Sequence, residues 1–354
     1  MAKITFESKT SPFYSSMKEG VAEYFAKNDI KQTGNIYLYI KLFTLIPAAI
    51  IIYVLLLFVK MPALYAILLC AAEGLIFSFI GFNVMHDACH GSFSSKKWVN
   101  NFLGYSLNAL GGNAFIWKQK HNVVHHTYTN VDGIDDDIAK LPVIRQCESQ
   151  QWNKMHRYQH VYMFLVYGLS SFLWVGMMDF AKYFTQKIHN TDLQKMDFQD
   201  HFIFWLSKVL YVVFYVALPI YFVGFLPWLA GFFIMHLFMG LVLALVFQLA
   251  HVVENTEFID GSVIAKSEDE WAVHQVKTTS NFATHNKVVS WFVGGLNFQV
   301  EHHLFPRVSH VHYPALSKIV EANCIKYNVP YNQFPTFTSA LVSHVRFMKH
   351  LGEK

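Results

Sequence analysis

Long uncharged runs alternate with short polar segments along the chain. One run covers residues 42–59, and a second covers 61–85 with Glu73 as its only charged residue. No Asp, Glu, Lys or Arg occurs between Lys208 and Glu254. A helix needs about 20 apolar residues to cross a bilayer. The pattern therefore predicts four transmembrane helices, at about 42–59, 61–85, 205–226 and 228–250.

Three other segments are less regular. Residues 98–117 are uncharged but contain four Asn, which is too polar for a lipid-exposed helix. Residues 158–178 are long enough to cross, and their pattern alone does not decide whether they do. The leader, residues 1–36, lacks the apolar core of a signal peptide. Its apolar residues recur at helical spacing between Phe13 and Phe25, which predicts an amphipathic helix on the membrane surface or packed against the core.

Composition supports a multi-pass membrane protein. Hydrophobic residues make up 53% of the chain and charged residues only 15%, against about 25% in soluble domains. The net charge of +4 is small and scattered, so nucleic acid is not an expected partner. The four Cys form no CxxC pair, which argues against a disulfide framework or a zinc ribbon. The fold class predicted is an all-α membrane protein.

Seven of the 19 His lie in three short clusters. HDACH holds His86 and His90, HNVVHH holds His121, His125 and His126, and QVEHH holds His302 and His303. Residues at i, i+4 share one helical face, about 6 Å apart, which suits a shared metal. Neutral imidazole binds Zn, Cu and Fe, and one zinc ion uses three or four ligands. Seven ligands therefore predict two metal ions.

Carboxylates next to metal-binding histidines often orient the rings. Asp87 and Glu301 lie inside the clusters, where each could accept a hydrogen bond from an imidazole N–H. The acidic run 135–137 follows the second cluster and is either a solvated loop or further support of this kind. His310 and His312 are interpreted as supporting or surface residues.

The order HxxxH, HxxHH (written here with one extra residue) and QxxHH around four apolar runs resembles the integral-membrane fatty acid desaturases. Gln299 and the stretch GGLNFQVEHHLFP at 294–306 are similar to the front-end branch, which places a double bond between the carboxyl end and an existing one. Some members of that branch carry a fused cytochrome b5 domain with an HPGG motif. No HPGG occurs here, and the leader is too short for such a domain.

The resemblance implies an O₂-dependent di-iron desaturase that introduces a cis double bond into a fatty acyl-CoA or acyl-lipid. Two Fe ions would be held by the seven cluster histidines and one more, for which His251 is favoured over His285. Gln299 would act catalytically beside one iron as a weaker donor than imidazole, and Asn281 could hold a metal-bound water. The alternatives are a hydroxylase or another oxidase of the same superfamily and, more remotely, a metal transporter.

A shared metal site constrains the topology. Because the three clusters must lie on one side of the membrane, 98–117 is predicted to be re-entrant or interfacial and 158–178 interfacial. Residues 37–354 would then form one desaturase domain with a helical cap that carries the di-iron site. Cap and termini would face the cytosol, in the inner membrane of a bacterium or the endoplasmic reticulum of a eukaryote.

Each turnover needs two external electrons. The chain has no haem motif, no CxxC pair and no GxGxxG fingerprint, so a separate ferredoxin, or a cytochrome b5 with its reductase, is the predicted partner. Small electron carriers are commonly acidic, and weak encounters rely on charge. The predicted docking residues are cations beside the three clusters: Lys96, Lys97, Lys118, Lys120 and Arg307.

Overall fold

A computed structural model describes residues 5–6, 12–138, 142–262 and 269–353. Residues 1–4 and 7–11 of the predicted leader therefore lie outside the described part. Helices dominate, and strands are limited to two-residue pairs. The helices are α1 (Pro12–Asn28), α2 (Ile36–Phe58), α3 (Ala63–His90), α4 (Lys97–Gly104), α5 (Ser106–Ala109), α6 (Ala114–Lys118, continued by a π turn at Gln119–His125), α7 (Lys154–Thr185), α8 (Phe198–Val223), α9 (Phe225–His251), α10 (Trp271–Lys277), α11 (Lys287–Phe292), α12 (Gln299–Leu304), α13 (Tyr313–Tyr327) and α14 (Phe337–Gly352).

The short strands tie loops together near the helix ends. Val131–Asp132 pairs in parallel with Ile259–Asp260, and Asn281–Phe282 pairs in parallel with Gln333–Phe334. Lys187–Ile188 forms a small antiparallel hairpin with Thr191–Asp192. Along the chain, Val131–Asp132 follows the second histidine cluster and Asn281–Phe282 precedes the third.

Five helices are long and apolar enough to cross a membrane: α2, α3, α7, α8 and α9. The predicted count of four is therefore not confirmed, because α7 contains the segment 158–178. Residues 98–117 form short helices instead of a spanning one, as expected from their Asn content. The approximate boundary predicted between 226 and 228 lies close to the observed break between α8 and α9. The chain turns at Gly224, whose φ of +87° suits a residue without a Cβ.

Close helix packing holds the bundle together. Leu45 of α2, Phe77 of α3 and Met239 of α9 are buried in one apolar cluster. A Cβ added at Gly240 of α9 would lie 2.5 Å from the carbonyl oxygen of Gly168 in α7. Small residues thus allow α7 and α9 to approach at backbone distance, a common way to join membrane helices.

The two ends of α7 contact the region that carries the histidines. At one end, Gln159 Nε2 donates to the carbonyl oxygen of Met348 in α14 at 2.8 Å. At the other, Lys182 Nζ donates to Asp136 Oδ2, just past the second cluster, at 2.6 Å. Helix α14 itself lies against the end of α9, since His344 Nδ1 contacts the Val252 carbonyl oxygen at 2.6 Å. Both ends of α7 therefore lie near the same face of the bundle.

The leader packs against the helical cap. Phe13 and Met17 of α1 are buried in one cluster with Val320 and Cys324 of α13. Of the two interpretations of its apolar stripe, packing against the core is the one that the structure supports.

Candidate metal centre and acyl cavity

The first histidine cluster follows a local change in helix geometry. Residues Gly81–Met85 of α3 form a π-helical turn directly before His86. The helix ends after His90 at Gly91, which has φ of +75°. π-Helical turns are frequent at functional sites because they rotate the residues that follow. Here the turn sets which face of the helix carries the two histidines.

The second cluster lies within another π turn, Gln119–His125. The N–H of His126 donates to the carbonyl oxygen of His121 at 3.1 Å, an i→i+5 contact. The wider turn accommodates the extra residue in H-N-V-V-H-H and brings the rings of His121 and His126 to a centroid distance of 4.8 Å.

The third cluster forms the short helix α12, which Asn281 holds in place. Asn281 Oδ1 accepts from the Val300 N–H at 2.9 Å, and its Nδ2 donates to Glu301 Oε2 at 2.8 Å. The Tyr331 hydroxyl donates to the other Glu301 oxygen at 2.8 Å. Glu301 thus accepts from an amide and a hydroxyl and not from an imidazole, and Asn281 uses both atoms of its amide to hold α12. Burial raises the pKa of Glu301 to about 7.

Eight histidines converge on one buried space, and all eight are the predicted ligands. Ring nitrogens of His86, His90, His121 and His302 lie within 4.8 Å of one another. Those of His125, His251 and His303 form a second group at the same spacing. His126 lies between the groups, with its ring 4.6 Å from that of His302 and 4.4 Å from that of His303. The arrangement offers two adjacent nitrogen-lined positions.

The chemistry of these nitrogens fits metal ions. A buried polar atom without a hydrogen bond is costly, so such atoms are rare unless a ligand completes them. Among the described residues, six of the eight rings have a buried Nε2 with no hydrogen-bond partner: His86, His90, His125, His251, His302 and His303. Each of these six rings belongs to one of the two groups whose ring nitrogens lie within 4.8 Å of one another. The residues present therefore fit two metal ions held by imidazole nitrogen.

The structure distinguishes the two candidates for the eighth ligand. His251 ends α9 and is buried, with its ring 4.8 Å from that of His125 and 4.9 Å from that of His303. His285 is exposed and belongs to none of the groups of possible ligands. Only His251 is in the cluster.

The opposite ring nitrogens are held by other groups, as metal-binding histidines require. His125 Nδ1 lies 3.0 Å from Asp135 Oδ2, so the acidic run supports the cluster and is not merely solvated. His303 Nδ1 lies 2.8 Å from Gln275 Oε1, and His302 Nδ1 lies 3.1 Å from the Tyr313 hydroxyl. Sequence reasoning missed Gln275 and Tyr313, which lie far along the chain in no recognisable motif.

Asp87 connects the first cluster to a spanning helix. Its Oδ1 lies 3.9 Å from His86 Nδ1 and 3.1 Å from His310 Nδ1, and its Oδ2 accepts from the Ser309 hydroxyl at 2.7 Å. The other nitrogen of His310 lies 2.9 Å from Lys41 Nζ in α2. Lys41 and His310 are both buried. His310 is thus a supporting residue, and the carboxylate next to His86 is balanced by a buried cation.

Burial favours the neutral imidazole, the form that binds metals, in most rings of the cluster. Burial, together with the neighbouring rings, lowers the pKa of His121, His126, His302 and His303 well below its ordinary value. Burial acts the same way on His125, but the adjacent Asp135 carboxylate outweighs it and raises the pKa of that ring.

The five predicted docking cations differ in their surroundings. Lys96, Lys97 and Arg307 are exposed, and Lys118 is half-buried. Lys120 is not available, because its Nζ lies 2.6 Å from Asp137 and 3.5 Å from Asp136. These carboxylates raise the pKa of Lys120 despite its burial. The Lys120 ammonium is paired with carboxylates of the protein, so its charge does not contribute to a docking surface.

A largely apolar cavity of about 380 Å³ opens beside the cluster. Four of the eight histidines line it: His86, His121, His125 and His251. Its walls are apolar side chains of α3, α7 and α9, including Phe77, Leu173 and Leu243. Lys120, Asp137 and Lys182 are among its few charged lining residues. The cavity suits a long hydrocarbon chain held against the histidines.

Gln299 lies one helical turn before the third-cluster histidines. Its side chain is buried, and its Nε2 has no hydrogen-bond partner among the described residues. Gln299 thus shares with the six histidines a buried side-chain nitrogen that has no hydrogen-bond partner among the described residues.

The profile of the fatty acid desaturase family matches residues 59–335. The chain belongs to the fatty acid desaturase family. It is 33% identical to the sn-1 linoleoyl-lipid 6-desaturase of Arthrospira platensis, over 99% of this chain and 95% of the relative. It is 35% identical to an acyl-lipid (8-3)-desaturase of Physcomitrium patens, over 98% of this chain and 73% of the relative. A probable delta(5) fatty acid desaturase C of Dictyostelium discoideum is 31% identical over 97% of this chain and 76% of the relative.

The desaturase is thus an oxidoreductase of fatty acyl chains, and the front-end branch predicted from Gln299 and 294–306 is the one in which its relatives are named. Such enzymes act on acyl lipids in membranes with electrons from a donor. The five apolar helices agree with a membrane protein.

Proposed function

We propose that this desaturase holds two iron ions with its eight clustered histidines and inserts a cis double bond near the carboxyl end of a lipid-bound acyl chain. The observation that carries the proposal is the apolar cavity whose wall includes His86, His121, His125 and His251. Relatives named as acyl-lipid desaturases favour a glycerolipid over acyl-CoA as substrate.

The reaction determines what the metal ions and the protein side chains would each contribute. A CH₂–CH₂ unit becomes CH=CH as O₂, two electrons and two protons become two waters. Two irons with O₂ supply the oxidising power that no side chain has. The chain's own residues hold the irons, position the hydrocarbon and exclude water. Asp135, Gln275 and Tyr313 fix ring orientation, since each contacts the nitrogen that faces away from the shared space.

Gln299 is proposed to act at the centre itself. Its unpaired amide lies on the same short helix as His302 and His303. An amide is a weaker donor than imidazole, which would leave the nearby iron more open. Gln299→His would supply a stronger ligand at this point, and we expect it to retain iron while lowering turnover.

The experiment that tests the function is expression in a host with a simple lipid profile, followed by mass spectrometry that locates each double bond. New unsaturation between an existing double bond and the carboxyl end is the expected product, and His125→Ala is the inactive control. Hydroxylated acyl chains in place of alkenes would contradict the proposal. Analysis by lipid class separates glycerolipid from acyl-CoA substrates.

The topology is proposed to have four crossings, with α7 in the interface. Support comes from Gln159 and Lys182, which fix the two ends of α7 near the same face of the bundle. Single cysteines at Gln151, which precedes α7, and at Asn190, which follows it, should then both be labelled from the cytosol, and one at Lys60 from the other side. Labelling of Gln151 and Asn190 from opposite sides would require α7 to cross.

Electrons are proposed to arrive from a separate ferredoxin or cytochrome b5 at a surface formed by Lys96, Lys97, Lys118 and Arg307. Charge steering weakens with salt, so turnover should fall as ionic strength rises. The double variant Lys96→Glu/Lys97→Glu should raise the apparent KM for the carrier several-fold without loss of iron. Lys349→Glu, at another exposed position, is the control. Turnover with NADPH alone and no carrier would contradict the proposal.

A further inference from the structure

A second cavity lies in the half of the bundle away from the histidines. It has a volume of about 150 Å³ and is lined by α2, α3, α8 and α9. It shares no lining residue with the acyl cavity. Glu73, which lines it, precedes His86 by 13 positions on α3, or about 20 Å along the helix. The desaturase reaction makes no use of this cavity.

Glu73 is the one acidic residue in the cavity wall. Its side chain is 3% exposed, and its Oε2 has no hydrogen-bond partner among the described residues. Among the residues that the structure describes, no Lys, Arg or His lines the cavity, so none of them offers the carboxyl group a countercharge there. Ionisable residues deep in a membrane bundle are costly and commonly mark a binding site.

Four aromatic rings complete the wall: Tyr53, Tyr215, Trp228 and Phe232. Two of their polar groups are already used, because the Tyr53 hydroxyl donates to the carbonyl oxygen of Phe214 and Trp228 Nε1 donates to that of Tyr215 at 2.8 Å. The Tyr53 and Tyr215 rings are 5.8 Å apart, and those of Trp228 and Phe232 are 5.4 Å apart. The wall therefore offers one carboxyl group and aromatic surface.

One ligand chemistry uses both features. A cation is attracted to aromatic faces, and an ammonium group also pairs with a carboxylate. An alcohol would use the carboxyl group but gain nothing from the rings beyond apolar contact. A cavity of this size excludes a whole phospholipid.

We propose that this cavity binds a small lipid-soluble monoamine through Glu73 and the four rings. The amine enters as the neutral base, takes the proton of the Glu73 carboxyl group on its nitrogen, and remains as an ammonium–carboxylate pair. No other atom changes its bonding. This site is independent of the proposed function, because neither the iron ligands nor the acyl cavity takes part.

The test is saturation binding of radiolabelled 2-phenylethylamine to the purified iron-loaded enzyme in nanodiscs. We expect one saturable site per chain, at least tenfold weaker in Glu73→Gln and unchanged in Glu254→Gln, a matched change at an exposed position. Unlabelled 2-phenylethanol, which has the same shape without the charge, should compete at least tenfold more weakly. Iron content and desaturase activity without amine should be the same in all three proteins.

A second variant keeps the test decisive if Glu73→Gln does not fold. Ala66→Phe fills the cavity without touching the carboxyl group, and it should abolish the saturable site. Absence of saturable binding to the wild-type protein would overturn the proposal. Equal binding to Glu73→Gln, or equal competition by 2-phenylethanol, would overturn it as well.

Discussion

The clustered histidines and the buried His236 differ in how their ring nitrogens are used. His236, deep in α9, has both nitrogens occupied, with Nδ1 3.0 Å from the Ser171 hydroxyl and Nε2 2.7 Å from the Tyr211 hydroxyl. His125, equally buried, has Asp135 on one nitrogen and no hydrogen-bond partner for the other. Burial therefore does not identify a ligand. The unpaired nitrogen that faces other unpaired nitrogens does.

The largest expected effect separates these two kinds of histidine. His125→Ala removes a nitrogen that nothing else replaces, so iron should fall below about two per chain and product formation should be lost. His236→Gln should keep its iron. Metal analysis and product mass spectrometry measure both. A His125→Ala enzyme with full iron and activity would show that the comparison has no bearing on metal binding.

Loss of the Asp135 carboxylate, which contacts His125, should weaken metal binding less than loss of the His125 ring. Asp135→Asn keeps the shape of the side chain but removes the charge next to His125 Nδ1, and metal affinity should fall about 10- to 100-fold. Competition with a chelator of known affinity measures the loss. Asp192→Asn, at an exposed position, should have no effect. Equal affinity of the two variants would mean that Asp135 is not needed to orient the ring.

A third substitution tests the acyl cavity without altering any of the clustered histidines. Ala244 lines the acyl cavity, and Ala244→Trp should block the hydrocarbon chain and reduce turnover about tenfold or more. Iron should remain bound, because no ligand is altered. The control is Ala230→Trp on the exposed side of the same helix α9. Loss of iron in Ala244→Trp would show that the cavity and the cluster cannot be separated.

The smallest effect concerns a fully paired histidine in the cap. Burial lowers the pKa of His344 to about 4, and its nitrogens contact the Val252 carbonyl oxygen and the Tyr167 hydroxyl. The unfolded chain takes up this proton near pH 6.5, the folded one only near pH 4. Stability from His344 is therefore complete above about pH 6.5 and declines as the pH falls.

Between pH 7 and pH 5 this loss amounts to about 2 kcal/mol for one proton. His344→Gln should lose less thermal stability than the wild type over that interval, by a few degrees in Tm. His350→Gln, at an exposed position, should behave as the wild type. Parallel pH profiles for all three proteins would mean that His344 does not titrate as its burial requires.

Local sequence patterns predicted the histidines because their spacing is a property of single helices. HDACH ends the long helix α3 and QVEHH lies on the short helix α12, so in each case proximity follows from the geometry of a single helix. The direction of a neighbouring side chain is less predictable. Glu301 is adjacent to His302, yet successive helix residues point about 100° apart, and its carboxylate faces Tyr331 instead.

Such local patterns cannot predict contacts between segments that are distant in the sequence. Gln275 and Tyr313 reach the cluster from helices with no motif of their own, and the buried contact between Lys41 and His310 joins residues far apart in the chain. The number of crossings is equally non-local. Helix α7 is as long and as apolar as a spanning helix. The location of its two ends is indicated only by the hydrogen-bond partners of Gln159 and Lys182.

Helix α7 runs along the acyl cavity and is held near both of its ends. Its middle contributes Val166, Ser170 and Leu173 to the cavity wall, while hydrogen bonds from Gln159 and Lys182 hold its two ends. The π turn at Trp174–Met178 breaks the regular helical geometry between the middle of α7 and Lys182. Trp174, Val175 and Met178 of this turn line the acyl cavity, so the irregular segment of α7 forms part of the wall against which an acyl chain would lie.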